Sequence, residues 1–181
     1  KPDYAEAYNN IGVALNDKGN PQAAIESYNK AISIDPNYAE AYNNVGGALI
    51  DMGEPESALK SCRHALEIKP GFAEAYNNMG NALQNSDDPD AAIESYKRAI
   101  KVEPNYADAY NNMGNAQRSK GDLETAIKSY HQALKIKPDF SDAHNNLANA
   151  QRSKGDLETA IKSYQQALKI KPDFSEVHNS L

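Results

Sequence analysis

The chain has 181 residues, of which 24% are charged and 40% are hydrophobic, and its formal net charge is −6. This acidic balance, without a basic stripe, argues against a protein that binds nucleic acid through its phosphates. There is no run of about eighteen apolar residues, so no membrane insertion is expected.

A six-residue stretch returns along the chain at a fixed interval. AEAYNN occupies residues 5–10, 39–44 and 73–78, and close variants occupy 107–112 and 141–146. Each copy starts 34 residues after the one before it, and a fixed period of about twenty to fifty residues marks a solenoid. We therefore expect a single array over residues 1–181. Its complete repeats are 5–38, 39–72, 73–106, 107–140 and 141–174, with partial repeats at 1–4 and 175–181.

The first helix of the repeat has an amphipathic pattern. From Tyr8 to Leu15, apolar or small residues stand at i, i+3, i+4 and i+7, which is the pattern of one packed helix face. We expect this helix to run from about Ala5 to Lys18 and to end at Gly19, where a left-handed residue commonly terminates a helix. The packed face is then expected to hold Tyr8, Ile11, Gly12 and Leu15.

The second helix has clear start and stop signals. Asn20 is a good N-cap, and Pro21 suits the first helical position because its missing N–H is not needed there. The helix is expected to continue to about Ile34, and Pro36 stops it.

The turn between the two helices differs in the third repeat. Glycine ends the first helix in the other repeats, but Asp87 stands at this position in the third. Aspartate tolerates the left-handed region less well than glycine, at a cost of about 1 kcal/mol. We therefore expect residues 85–90 to form the most irregular turn.

Small residues recur where the helices are expected to approach each other. Gly12, Gly46, Gly80, Gly114 and Ala148 hold one position of the first helix. Tyrosine fills a position of the second helix in four repeats, as Tyr28, Tyr96, Tyr130 and Tyr164. Cys62 stands at this position in the remaining repeat, so we interpret the single cysteine as a buried apolar substitute.

These positions together resemble a known repeat. Tyr8-x2-Ile11-Gly12-x2-Leu15, followed by Ala24-x3-Tyr28-x2-Ala31 and Pro36, is similar to the tetratricopeptide repeat pattern. The resemblance implies an all-α fold, a right-handed α-solenoid of tandem helix-turn-helix units. It also implies that the side of the first helices opposite the packed face lines a concave channel for a protein or peptide partner.

Three series of asparagines fall on this predicted channel side. The Asn9 series comprises Asn9, Asn43, Asn77, Asn111 and Asn145. The Asn10 series comprises Asn10, Asn44, Asn78, Asn112 and Asn146. The Asn81 series comprises Asn81, Asn115 and Asn149, and replaces Val13 and Gly47 of the first two repeats.

A ladder of carboxamides suits an extended peptide. A carboxamide both donates and accepts hydrogen bonds, so it can pair with a peptide group whatever the ligand's side chains are. First helices about 10 Å apart would contact about every third residue of a segment that advances about 3.3 Å per residue. The alternative is structural, with each asparagine bonded to the neighbouring repeat. The Asn10 series favours ligand contact more than the Asn9 series does.

The Asn10 series is also similar to that of the superhelical repeats of O-linked N-acetylglucosamine transferases. That resemblance implies binding of extended substrate segments. The chain is thus expected to be a non-catalytic scaffold that binds extended peptides. The alternatives are the substrate-recruiting part of a larger enzyme, such as a glycosyltransferase, and a self-assembling array whose last repeat leaves Tyr164 and Leu168 poorly covered.

No motif for catalysis or cofactor binding stands out. The sequence has no Gly-rich phosphate loop, nucleophile elbow or HExxH, so neither an enzyme nor a cofactor is expected. His144 and His178 occupy equivalent positions one repeat apart and are interpreted as packing residues, so no metal site is expected.

Charge and chain ends leave two points open. Residues 1–106 carry nine Lys and Arg against sixteen Asp and Glu, which indicates either a solvated acidic face or a partner with a basic end. The chain opens on KPDY and ends seven residues into a repeat, so we interpret it as a piece of a longer array. With no targeting signal in this piece, a cytoplasmic location is the expectation.

Overall fold

The structure, a computed structural model, describes residues 2–172, and its regular elements are α-helices. The expected all-α fold of tandem helix pairs is confirmed. The partial repeat at 175–181 and His178 lie outside the described residues. The helices are α1 Pro2–Asp17, α2 Pro21–Ile34, α3 Ala39–Asp51, α4 Pro55–Ile68, α5 Ala73–Asn85, α6 Pro89–Val102, α7 Ala107–Ser119, α8 Leu123–Ile136, α9 Ser141–Lys154 and α10 Leu157–Ile170.

The chain forms two compact units that divide between Val102 and Glu103. Unit 1 contains α1 to α6 and unit 2 contains α7 to α10. In each unit the two helices of a repeat pack together, and the second helix of a repeat also packs on the first helix of the next. Among the described residues, no helix is long and apolar enough to cross a membrane.

Local signals explain where the helices begin. The Oδ1 atom of Asn20 accepts a hydrogen bond from the backbone N–H of Ala23 at 3.3 Å, which caps α2 as predicted. Asp122 caps α8 in the same way through the N–H of Thr125 at 3.3 Å. The first helix starts at Pro2 rather than at the predicted Ala5, because a proline is well tolerated in the first turn.

The turns between paired helices share one backbone geometry. Gly19 lies in the left-handed region with φ +75°, and Asp87 lies in the same region with φ +58°. The turn at Asp87 keeps the hydrogen bonds of its glycine counterparts, with the N–H of Asp88 donating to the carbonyl of Leu83 at 3.0 Å. The expectation that residues 85–90 form the most irregular turn is therefore wrong. The energetic cost of placing aspartate in the left-handed region is confined to the backbone dihedral angle of Asp87.

The core of four repeats is a tyrosine packed on a small residue, and in the second repeat Cys62 packs on Gly46 instead. Tyr96 and Tyr130 are fully buried. A Cβ atom built on Gly80 would lie 2.5 Å from Cε1 of Tyr96, so the helices meet at a distance that only a very small residue permits. Ala148 takes the place of glycine in the last complete repeat, opposite Tyr164.

Two expectations about the ends of the array are wrong. Tyr164 is not poorly covered but 2% exposed, and it packs in one cluster with Ala148 of α9, while Leu168 packs against the same cluster. Ile11 was expected on a packed face but is 49% exposed. Its counterpart Val45 packs on the second helix of the preceding repeat, next to Tyr28, and no described helix precedes α1.

Cys62 is expected to be unreactive in the folded protein. Its side chain is fully buried, and burial raises the pKa of the thiol to about 12. At pH 8 the thiolate fraction falls on the order of 10³-fold below that of a free cysteine. Reaction with a chromogenic disulfide reagent should be correspondingly slow and should become fast in denaturant. Fast native labelling, comparable with that of an exposed Ser153→Cys control, would contradict the buried assignment.

Candidate functional site

The Asn9 series is buried, although Asn43 also lines a cavity in unit 1. All five side chains are buried, with exposed fractions from 7% at Asn9 to 4% at Asn145. This burial favours the structural alternative for the series, and ligand contact by it stays a prediction. Within the units, Asn9, Asn43 and Asn111 act as hydrogen-bond acceptors for the following repeat. The buried members are Asn9, Asn43, Asn77, Asn111 and Asn145.

Members of the Asn10 series join consecutive repeats within each unit. Three donated bonds run from Nδ2 of one asparagine to Oδ1 of another 35 residues earlier. In unit 1 they are Asn44 to Asn9 at 2.9 Å and Asn78 to Asn43 at 2.9 Å. In unit 2 the bond is Asn146 to Asn111 at 3.0 Å. The structural alternative for these amides, a hydrogen bond to the neighbouring repeat, is thus present in both units.

The same amides keep part of their surface open. Asn44, Asn78, Asn112 and Asn146 are half-buried, and Asn10 is exposed. A carboxamide has two N–H donors and an acceptor oxygen, so one donated bond does not use its full capacity. The position of the Asn10 series therefore allows it to contact a ligand.

The Asn81 series supports the core tyrosines. The Oδ1 atom of each member accepts a hydrogen bond from a tyrosine hydroxyl of the same repeat, 15 residues later. The bonds are Tyr96 to Asn81 at 2.8 Å, Tyr130 to Asn115 at 2.8 Å and Tyr164 to Asn149 at 2.6 Å. The sequence carried part of a signal for this role, since Gly47 coincides with Cys62, but Val13 coincides with Tyr28. The series is first of all structural.

Unit 1 contains a cavity of about 250 Å³ on the side of the Asn10 series. Asn44, Asn78 and Asn81 line it, together with Asp17 and Asp51. Sequence reasoning missed the two aspartates, which follow the asparagines by two helical turns. Their placement beside the amides gives the cavity a negative character.

Two neighbouring groups reflect this negative character. Tyr28 lines the same cavity, and its pKa is raised by burial and by the charges of Asp17 and Asp51. Nδ2 of Asn16 donates to Oδ2 of Asp51 at 3.3 Å. The Oδ1 atom of Asn16 is buried without a hydrogen-bond partner in the described part of the chain. The cavity therefore offers acceptors to a ligand that carries donors or positive charge.

Of the two histidines interpreted as packing residues, His144 lies among the described residues, and its geometry fits that interpretation. Nε2 of His144 lies 3.0 Å from the carbonyl oxygen of Pro138, at the start of α9. Within residues 2–172, no three His, Cys, Asp or Glu side chains converge in an arrangement suited to a metal ion.

Asn43→Ala should destabilise the folded protein by about 1–2 kcal/mol. The substitution removes the buried oxygen that accepts from Asn78, and loss of one partner of a buried hydrogen bond costs about this much. The measurement is the free energy of unfolding from urea denaturation followed by circular dichroism. Asn10→Ala, which removes an exposed amide, is the matched control and should change stability by less than about 0.5 kcal/mol. Equal effects of the two substitutions would contradict the structural role of the Asn9 series.

Family models match most of the chain. The tetratricopeptide repeat model matches residues 5–38, 73–106 and 141–174. A second model of the same description matches residues 27–60 and 95–128, and a TPR repeat model matches residues 114–152. No curated protein matches the chain.

Several solved structures share the fold. The crystal structure of MamA is 32% identical to this chain, covers 92% of it and 97% of its own length, and has a TM-score of 0.73. TTC0263, a thermophilic TPR protein of Thermus thermophilus, is 22% identical with a TM-score of 0.85, over 97% of this chain and 96% of its own. YrrB, described as a TPR protein with an unusual peptide-binding site, is 22% identical with a TM-score of 0.69, over 96% and 89%. The two at 22% identity support the fold alone.

Proposed function

The chain belongs to the tetratricopeptide repeat family, and on this premise we propose that it is a non-catalytic scaffold that binds an extended peptide segment along the Asn10 series. The observation that carries the proposal is the half-exposed position of Asn44 and Asn78 in the cavity of unit 1. Each amide lies on a separate first helix. Together they offer hydrogen-bonding groups to successive parts of an extended backbone.

The segment bound in unit 1 carries lysine or arginine. Asp17 and Asp51 line the same cavity as the amides, and the buried oxygen of Asn16 lacks a donor within the described residues. The first 106 residues hold sixteen acidic against nine basic side chains, so the surrounding potential also favours a cationic ligand. The amides then bind the backbone of the segment, and the aspartates select its basic side chains.

Affinity is expected to be modest. Each hydrogen bond contributes about 0.5–1.5 kcal/mol net, and ordering a flexible peptide offsets much of that gain. The aspartates raise affinity for a basic segment over a neutral one, more strongly at low ionic strength because salt screens exposed charges.

Titration with flexible peptides tests the proposal. A fluorescent peptide with lysine at every third position should bind more tightly than otherwise identical peptides with glutamine or glutamate, as measured by fluorescence anisotropy. Asn44→Ala/Asn78→Ala should weaken binding of each peptide that binds by about tenfold, the loss expected for two hydrogen bonds. Asp17→Asn/Asp51→Asn should weaken binding of the lysine peptide and leave the glutamine peptide unaffected.

Asn9→Ala is the matched control, because it removes the acceptor of the inter-repeat bond from Asn44 while leaving both cavity amides in place, and Asn9 does not line the cavity. It should lower stability without a comparable loss of affinity. Unchanged affinity in Asn44→Ala/Asn78→Ala would remove the ladder from the proposal. An equal loss in Asn9→Ala would assign the effect to folding instead.

Self-association is a second candidate function. Leu157 and Ile161 are 58% and 47% exposed on α10, and Ile11 is 49% exposed on α1. Large apolar side chains left in water on consecutive helical turns favour contact with another molecule. Light scattering over a concentration series measures this association, and a strict monomer would contradict it.

Recruitment of substrates to a larger enzyme is the remaining alternative. It would use the same groove as peptide binding, and the full-length reading frame of the parent protein tests it.

A further inference from the structure

We propose that unit 1 carries a second binding site, a groove over α5 between α4 and α6 that takes a partner's segment in which a large apolar side chain is flanked by carboxylates. The groove has a volume of about 360 Å³, and we call it the outer groove. It is separate from the cavity beside the Asn10 series, and the inference does not depend on the peptide proposed to bind there.

The outer groove lies on the opposite side of α5 from the Asn10 series. Tyr76 and Met79 of α5 line the groove, whereas Asn78 and Asn81 of the same helix line the cavity of the proposed peptide site. With about 3.6 residues per turn, the directions of these two pairs differ by roughly 160° around the helix axis. The two sites therefore face away from each other, and they share no lining residue.

The floor of the outer groove is apolar. Leu66 of α4 lines it together with Tyr76 and Met79, and all three side chains are half-buried. Val45 and Leu147 hold the position of Met79 in other repeats and are only 7% and 3% exposed. Methionine adapts its shape to different apolar partners, and a tyrosine ring supplies a large contact area at a small entropic cost. The floor therefore suits one large apolar side chain of a ligand.

The two walls of the outer groove are basic. Arg63 of α4 and Arg98 of α6 line it, and both are exposed. Lys60 and Lys101 each stand three residues from one of these arginines, which places them on the same helix faces. Within residues 2–172, neither guanidinium forms an ion pair. The described part of the chain thus leaves the positive charge of both walls available to a ligand.

The nearby carboxylates are directed to other side chains. Glu67 lines the outer groove, but its Oε2 atom lies 3.3 Å from Nδ1 of His64. Glu94 of α6 has its Oε2 atom 3.6 Å from Nζ of Lys97. Each carboxylate is therefore turned toward a neighbour on its own helix, and the guanidinium groups keep their donors.

Carboxylates are the groups that these walls select. A guanidinium binds a carboxylate through two parallel hydrogen bonds. The first 106 residues are acidic as a whole, but charges more than about 8 Å away are largely screened at physiological ionic strength. The arginines at the groove therefore dominate the potential that a bound segment meets. A segment with carboxylates on either side of its apolar side chain matches both walls and the floor.

Methionine methyl groups give a local measurement of binding. The chain has three methionines, of which Met79 lines the outer groove, while Met52 and Met113 do not. The probe is a flexible Gly/Ser peptide with one leucine and two glutamates on each side of it, added to the full chain with isotope-labelled methionine methyl groups. The Met79 resonance should shift and saturate on the order of 1 mM peptide, the affinity expected of one apolar contact and two exposed charge pairs. The resonances of Met52 and Met113 should not shift.

Two altered peptides separate the charges from the apolar contact. Glutamine in place of the glutamates should weaken binding about threefold to tenfold, the loss expected for two exposed ion pairs. Added salt should reduce this difference because it screens the pairs. Serine in place of the leucine should weaken binding at least about tenfold, because the apolar burial on the floor is lost.

Arg63→Gln/Arg98→Gln removes the charge of both walls. Both side chains are exposed, so folding should be retained. Affinity for the glutamate peptide should fall about threefold to tenfold, to the level of the glutamine peptide. Lys162→Gln/Lys169→Gln makes the same change of net charge at exposed positions of α10 and is the matched control. It should leave the affinity unchanged.

The outcomes decide the inference on its own. A saturable shift of Met79 that is reduced both in the arginine variant and with the glutamine peptide supports the outer groove. No shift of Met79 at about ten times the expected dissociation constant overturns it, and so does unchanged affinity in Arg63→Gln/Arg98→Gln. Asn44→Ala/Asn78→Ala should leave the Met79 titration as in the wild type, because those amides line the other site. Failure of the peptide site of the Asn10 series therefore leaves this result unaffected.

Discussion

Tyr96→Ala lowers the free energy of unfolding by about 3–5 kcal/mol, the range for removal of a buried aromatic side chain. Tyr96 is completely buried between α5 and α6. Its ring lies against Gly80, and its hydroxyl donates to Asn81 at 2.8 Å and lies 3.2 Å from Oε1 of Gln84. The substitution leaves a cavity that the rigid paired helices cannot fill by collapse. Urea denaturation followed by circular dichroism measures the loss.

Tyr96→Phe separates the ring from the hydroxyl. This control keeps the packing and removes the donor to Asn81, so it should cost only about 1 kcal/mol. A loss as large as that of Tyr96→Ala would mean that the polar contact, and not the packed ring, holds the repeat together. A loss below about 1 kcal/mol in Tyr96→Ala would contradict the burial of the ring.

Gly80→Leu is expected to destabilise unit 1 by about 2–3 kcal/mol, despite the better helix propensity of leucine. The first carbon of any side chain at this position falls 2.5 Å from the ring of Tyr96. A leucine adds three more carbons in the same direction, so α5 and α6 must separate or the ring must leave its site. The same denaturation experiment measures the change, and near-ultraviolet circular dichroism reports whether the tyrosines lose their fixed environment.

Gly80→Ala is the informative comparison for that substitution. Repeat five already has Ala148 at this position, yet Tyr164 is 2% exposed and keeps a 2.6 Å bond to Asn149. A single methyl group is thus accommodated by a small shift of the ring. We expect Gly80→Ala to change stability by less than about 1 kcal/mol, since the gain in helix propensity offsets the shift. If both substitutions were equally tolerated, the close approach of the helices would be contradicted.

The fold was largely predictable because its signals are local and repeated. Pro21 and Asn20 specify the start of α2 through chemistry that depends on neighbouring residues alone. The glycine at Gly19 specifies a left-handed turn in the same way. Because the sequence is periodic, the same assignments apply to the other repeats. They apply also to the turn at Asp87, where the hydrogen bonds of the turn hold an unfavourable residue in the same conformation.

The candidate site was predictable only in part. A helical projection places Asn9 and Asn10 on the same broad side of α1, although the structure buries Asn9 and leaves Asn10 open. The difference depends on where the next first helix lies, which the pattern of a single helix does not contain. The aspartates of the cavity were missed for a related reason. Asp17 and Asp51 come from different repeats, and their approach depends on the angle between repeats.

The amide bonds between repeats have a consequence for recognition. Asn44 and Asn78 are each held in place by the asparagine one repeat earlier, so their orientation is fixed as soon as the repeats stack. A ligand meets polar groups that have already lost their rotational freedom, and binding does not have to order them. The spacing between contact points is then set by the stacking of the helices. A ligand is selected by whether the spacing of its backbone groups matches it.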